Sequence, residues 1–165
     1  MYSESIIYDA IASITHSPLT ETHMSEDIRQ RFINEIKLRA FDDQYVDRQE
    51  EREILQIAIQ MNVDLDTARM ALIQACQMQN YVLESEVVNE MKTQLRVFAG
   101  NDGKVDEQEF TLIFQTMKAK VNGKATDVNL KRMIVEEMES SGLNKVKTGF
   151  FSNWYTKVKR EVGLG

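Results

Sequence analysis

Arg96-Val97-Phe98-Ala99-Gly100-Asn101-Asp102-Gly103-Lys104-Val105-Asp106-Glu107-Gln108-Glu109 closes one amphipathic segment, turns on acidic residues and opens another. The same grammar occurs earlier, in Lys37-Leu38-Arg39-Ala40-Phe41-Asp42-Asp43-Gln44-Tyr45-Val46-Asp47-Arg48-Gln49-Glu50. At a constant offset of 59 residues Ala40 meets Ala99, Asp43 meets Asp102, Val46 meets Val105, Asp47 meets Asp106, Gln49 meets Gln108 and Glu50 meets Glu109. Ile54 and Ile113 continue the match. Each copy holds a helix end, an acidic turn, one β-branched residue placed to face inward, and an Asp-x-x-Glu that can satisfy the first free backbone donors of a new helix. A helix-turn-helix written twice predicts an all-α fold with an internal pseudo-repeat, about 37–59 and 96–118.

Working outward, Ser25-Glu26-Asp27 reads as a helix cap with first-turn acids, and Ile28, Phe32, Ile33, Ile36 and Ala40 share one face of a helix ending near Phe41. After Asp47 the expected buried face is Ile54, Leu55, Ala58 and Ile59; Asn62 ends that helix and Asp64 caps the next, over Leu65–Gln79. Glu84–Ala99 carries Val87, Val88, Met91, Leu95 and Phe98, and the helix after Asp106 carries Phe110, Ile113, Phe114 and Met117. Thr126 or Asp127 caps a segment with Leu130, Met133, Ile134 and Met138, and Ser141-Gly142 stops it. Ser3 opens a further stripe through Ile7, Ile11 and Ile14, broken by the loop around Pro18, and a last helix is expected over Gly149–Val162. The expectation is one domain over 1–165 with seven or eight short to medium helices: an N-terminal helix and Pro-containing loop (1–24), a repeated core (25–140) and a basic-aromatic C-terminal helix (141–165).

Composition agrees with that class. The chain has 165 residues, 42% of them hydrophobic, and a single proline, a balance suited to long uninterrupted helices rather than disorder. The only cysteine, Cys76, lies in an apolar run and reads as a buried structural thiol. The opening residues lack a basic start and a long apolar core, and no run approaches the length of a membrane span, so a cytoplasmic protein is expected. The net charge of -6 is uneven: residues 1–120 carry 12 basic and 21 acidic side chains, residues 121–165 carry 8 and 5. Such an acidic body repels a nucleic-acid backbone.

The acidic turns invite a calcium reading, because a hard cation needs six to eight oxygens from a loop with acids at positions 1, 3 and 5, glycine at 6 and glutamate at 12. In the second copy Asp102, Gly103, Val105 and Glu109 fit positions 5, 6, 8 and 12, but Phe98 and Gly100 stand at 1 and 3. In the first, Arg39 and Phe41 stand at 1 and 3 and Gln44 replaces the glycine. Two carboxylate ligands are missing from each, so structural turns with helix caps are expected. The candidate ligands for a weak calcium or other divalent site are Asp42, Asp43, Asp47, Glu50, Asp102, Asp106 and Glu109; no resident cofactor is expected.

Through Ala99, Asp102, Gly103, Val105 and Glu109 the chain resembles the TerB-like, tellurite-resistance-associated helical proteins, and its turns resemble degenerate EF-hands. The resemblance covers about 25–140. It implies an all-helical domain in which such turns occur twice, divalent-cation binding by surface acids, and a role in stress-linked or membrane-associated assemblies. Gln44-Tyr45, where that pattern has Gly-x, weakens the implied metal role.

Recognisable catalytic patterns are missing. His16 and His23 have no cysteine or acidic partner at metal-ligand spacing, and neither a Gly-x-Ser-x-Gly elbow nor a phosphate loop occurs. Glu50-Glu51 and Glu136-Glu137 read as solvated helix faces. A non-enzymatic protein is therefore expected, an adaptor or assembly factor that binds another protein or a second copy through a helical groove or the C-terminal helix, with peripheral membrane contact as a lesser role. The candidate partner-binding residues are Phe150, Phe151, Trp154, Tyr155, Lys157, Lys159 and Arg160, aromatics that serve as core anchors or interface hot spots beside cations that can stay wet. Met61, Met70, Met78, Met91, Met117, Met133 and Met138 suit either an adaptable core or an adaptable groove.

Overall fold

The computed structural model describes residues 26–39, 43–100, 102–143, 146 and 153–165, with side chains from residue 31 onward except that of residue 39. The expected helix at Ser3, the Pro18 loop, His16, His23, the Ser25 cap, Asp42, and Phe150 and Phe151 lie outside the described residues. Within them the fold is all-α with seven helices: α1 Glu26–Arg39, α2 Arg48–Gln60, α3 Leu65–Met78, α4 Glu84–Ala99, α5 Glu107–Val121, α6 Asp127–Ser140 and α7 Trp154–Glu161. Two two-residue strands, β1 Tyr45–Val46 and β2 Val82–Leu83, pair in parallel with Tyr45 opposite Val82 and Val46 opposite Leu83. The chain divides into two compact units, 1–84 and 85–165.

In the first unit α1, α2 and α3 pack on one another, and β2 packs on α3. Phe32, Ile33 and Ile36 of α1, Ile54, Leu55 and Ala58 of α2, and Ala68, Ala71, Leu72 and Ala75 of α3 join Val46 and Leu83 in one buried cluster. Full burial of an Ile or Leu side chain contributes about 1.5–3 kcal/mol, so this stripe, more than helix propensity, holds the three helices. Small alanines on α3 let its neighbours approach closely. Ile59 departs from expectation: it is 51% exposed. The buried face of α2 runs Glu51, Ile54, Leu55, Ala58, and Ile59 falls on its solvent edge while Val63 of the following turn is buried.

In the second unit α6 packs on α5 and on α7. Met91 and Leu95 of α4, Ile113 and Met117 of α5, and Leu130, Ile134 and Met138 of α6 are fully buried. Phe98, Phe114 and Met133, also expected inside, are half-buried.

Four of the helices, two in each unit, end by one rule. Asn62, Asn80, Gly142 and Gly163 take left-handed backbone (φ 60°, 55°, 71° and 76°) just past α2, α3, α6 and α7. The next residue's N–H then turns back: Val63 to the Ala58 carbonyl (3.0 Å), Tyr81 to Cys76 (2.8 Å), Leu143 to Met138 (2.7 Å) and Leu164 to Lys159 (2.8 Å). Each is the six-to-one bond of a Schellman ending, which satisfies carbonyls that the helix cannot. At helix starts, Asp64 accepts from the Thr67 N–H and Thr126 from that of Asn129, which settles the α6 cap on Thr126.

Candidate functional site

The two acidic turns are built alike. In the first, Asp43 Oδ1 accepts from the Tyr45 N–H at 2.9 Å, Gln44 is left-handed (φ 58°) and Val46 is fully buried. In the second, Asp102 Oδ1 accepts from the Lys104 N–H at 3.1 Å, Gly103 is left-handed (φ 64°) and Val105 is fully buried. Both turns then enter a capping box. Asp47 Oδ1 accepts from the N–H groups of Gln49 and Glu50 (2.7 and 2.8 Å), and Glu50 Oε2 accepts from the Asp47 N–H (2.9 Å). Asp106 Oδ1 accepts from the Glu109 N–H, and Glu109 Oε2 from the Asp106 N–H, both at 2.8 Å.

Six of the seven candidate metal ligands are thus placed, and each of the six carboxylates accepts a backbone N–H of its own turn. Among the described residues no group of three or more His, Cys, Asp or Glu side chains comes together as a metal site.

The first unit adds a clasp that sequence reasoning missed. The Tyr45 hydroxyl donates to Glu84 Oε2 at 3.2 Å, and Arg48 Nε lies 3.3 Å from Glu84 Oε1. Burial, followed by the charge of Glu84, pushes the Tyr45 hydroxyl far above the usual range. Glu84 follows β2 directly, so the clasp and the ladder, in which the Val82 N–H donates to the Gln44 carbonyl at 2.8 Å, fasten the same two turns. The signal was slight: two β-branched or aromatic residues in each turn, with no periodicity to read.

The reading of Glu51 and Glu137 as solvated is corrected: each is only 8% exposed. Glu137 is accommodated by the Ser141 hydroxyl (3.0 Å), the Ser140 hydroxyl (3.4 Å) and the Lys92 ammonium (3.7 Å). Glu51 faces Cys76, whose thiol is pushed up to about 12, first by burial and then by the Glu51 charge. Such a thiol is held in its unreactive protonated form.

Of the C-terminal candidates, Trp154 is turned inward. It is 3% exposed and meets the Phe110 ring at 5.3 Å between centroids, with Tyr155 at 5.4 Å on another side. Lys159 bonds Glu139 at 2.7 Å, Lys131 bonds Glu161 at 2.6 Å, and Arg132 Nε donates to the Val162 carbonyl at 3.0 Å. These contacts tie α7 to α6. The Tyr155 hydroxyl is shielded from solvent and finds no hydrogen-bond partner among the described residues; burial and the Glu139 charge push it up to about 12. Lys157 and Arg160 remain exposed.

Exposed apolar side chains lie elsewhere. Met91, Met117 and Met138 are fully buried, whereas Met70 and Met78, both on α3, are 50% and 38% exposed. Met70, Gln74, Gln77 and Met78 recur at helical spacing on one side of α3, bordered by half-buried Ile73. A shallow depression along α5 is lined by Glu107, Gln108, Thr111, Leu112 and Gln115, a mostly polar set without convergent chemistry. Among the described residues no helix is long and apolar enough to cross a membrane.

No protein-family model, curated protein or solved structure matches the chain.

Proposed function

We propose that the chain is a non-catalytic, cytoplasmic protein-interaction module of TerB-like type, which presents the outward stripe of α3 to another protein or a second copy of itself. The observation that carries this reading is the division among the methionines. Three are sealed in the second unit, while Met70 and Met78 stand in solvent on one side of a helix whose opposite side is core. Unbranched, polarisable methionine side chains adapt to differing partners. The C-terminal helix is the weaker docking face, because Trp154 is engaged with Phe110. The carboxylates of the acidic turns serve in this reading as the frame that sets α2 and α5.

A photo-crosslinking residue at position 70 or 78, compared with one at exposed Thr116 of α5, tests the proposal in native extract and on purified protein. Sites 70 and 78 are expected to give a discrete adduct with a partner or a second copy that position 116 does not. Met70→Glu with Met78→Glu should abolish that adduct while changing stability by no more than about 0.5 kcal/mol per surface site. Equal adducts from all three positions, or adducts that survive the double substitution, would overturn it.

A further inference from the structure

The chain contains two Asx-Gly steps, Asp102-Gly103 and Asn122-Gly123, and both continue into lysine. Each is the place where a backbone nitrogen can attack the preceding side chain, because glycine offers no side chain to hinder the approach. The fold treats them differently.

At the first step the nucleophile and the electrophile are both held. The Gly103 N–H donates to the Ala99 carbonyl at 3.0 Å, and the Asp102 carboxylate accepts from the Lys104 N–H at 3.1 Å. At the second step both groups are loose. Asn122 and Gly123 are exposed, the Gly123 N–H has no partner among the described residues, and the Asn122 side chain makes no hydrogen bond. Asn122 also sits in left-handed backbone (φ 47°, ψ 48°), a region that asparagine enters more readily than other side-chain-bearing residues. Ring closure requires rotation about its ψ, and the contacts that span it include the Asn122 N–H to the Lys118 carbonyl at 3.2 Å, the Lys124 N–H to the Val121 carbonyl at 3.0 Å and the exposed Lys118–Asp127 ion pair at 2.7 Å.

We infer that Asn122 is a site of spontaneous deamidation and isoaspartate formation in the folded protein, while the fold protects the chemically parallel step at residue 102. The Gly123 nitrogen gives up its proton to solvent base and bonds to Asn122 Cγ. The Cγ–NH2 bond breaks as the leaving nitrogen takes that proton back from solvent and departs as ammonia, leaving a five-membered succinimide. Water then adds to one of its two carbonyls and opens it to aspartate or isoaspartate. No oxidant or reductant is involved. The product places a carboxylate at the C-terminal end of α5, where the helix dipole is already negative, and the isoaspartate form inserts a methylene into the backbone of the cap.

Asp102→Asn makes the two steps chemically equivalent, Asn-Gly-Lys in each case, and lets the fold alone discriminate. The variant and the wild type are incubated at mildly alkaline pH, folded and in denaturant, and residues 102 and 122 are followed by peptide mass mapping with fragmentation that separates isoaspartate from aspartate. In denaturant the two asparagines are expected to convert at similar rates. In the folded variant residue 122 should convert about thirtyfold faster than residue 102, the ratio given by two hydrogen bonds of ordinary net strength. Equal conversion in a variant shown to be folded by circular dichroism overturns the inference. So does a wild-type Asn122 that reacts about thirtyfold more slowly folded than denatured, a comparison that needs no substitution.

Discussion

Two turns 59 residues apart solve one geometric problem with different residues at the critical position. Both reverse the chain through a left-handed residue, both secure it with an aspartate reaching two residues ahead, and both deliver a buried valine followed by a capping box. The second places Gly103 at the left-handed position; the first places Gln44 there, where a side chain costs about 1–2 kcal/mol. Among the described residues the first turn is also fastened from outside, by a two-residue ladder to Val82–Leu83 and the Tyr45–Glu84–Arg48 clasp. A turn whose ends are fixed by capping and by neighbouring strands tolerates a residue its backbone does not favour, so the glycine varies between the two turns while the Asp-x-x-Glu is present in both.

The correspondence can be broken most sharply one residue past the capping boxes, where buried Glu51 stands opposite buried Phe110 in the repeat. Phe110→Ala removes the ring that Trp154 packs against and should cost about 3 kcal/mol or more in urea unfolding. Glu51→Ala should cost far less, because the deleted carboxylate carried a burial penalty of its own. Equal losses would mean that the copies use this position in the same way.

The capping boxes come next. Asp47→Ala and Asp106→Ala should each lower stability by about 1 kcal/mol, and near-equality would sharpen the equivalence that the hydrogen bonds describe. A markedly larger loss at Asp47 would show that the ladder depends on its cap.

The smallest effect is the most specific. Gln44→Gly should stabilise the fold and Gly103→Gln destabilise it, each by about 0.5–1 kcal/mol of unfolding free energy after the greater entropy of glycine in the unfolded chain is counted, with the thermal midpoint moving in the same direction. A destabilising Gln44→Gly would mean that the glutamine makes the first turn in a way φ alone does not express.

Most of the helical frame was legible because caps and apolar spacing are local. Glu84–Ala99 was expected with its observed limits, α2 and α3 began where Asp47 and Asp64 said they would, and α6 took the first of its two candidate caps, Thr126. What escaped the sequence depends on partners distant along the chain. The β1–β2 ladder joins segments 37 residues apart, and two residues carry no period. Glu137 reads as a wet helix face until Ser141 and Lys92 are seen to receive it. Trp154 announced itself as an anchor or an interface, and spacing alone gave no sign of the Phe110 ring against which it is buried. The metal reading rested on acids clustered in sequence, and spacing alone does not tell that one oxygen of each described acid accepts a backbone N–H of its own turn.

The burial of Trp154 equips the molecule with its own optical reporter. It is the chain's single indole, and it lies almost entirely out of solvent against Phe110. Its emission therefore records the wetting of its own neighbourhood in residues 85–165, while in residues 1–84 Tyr45 and the single thiol at Cys76 offer separate handles. Loss of structure in each half can be timed in the same unlabelled sample.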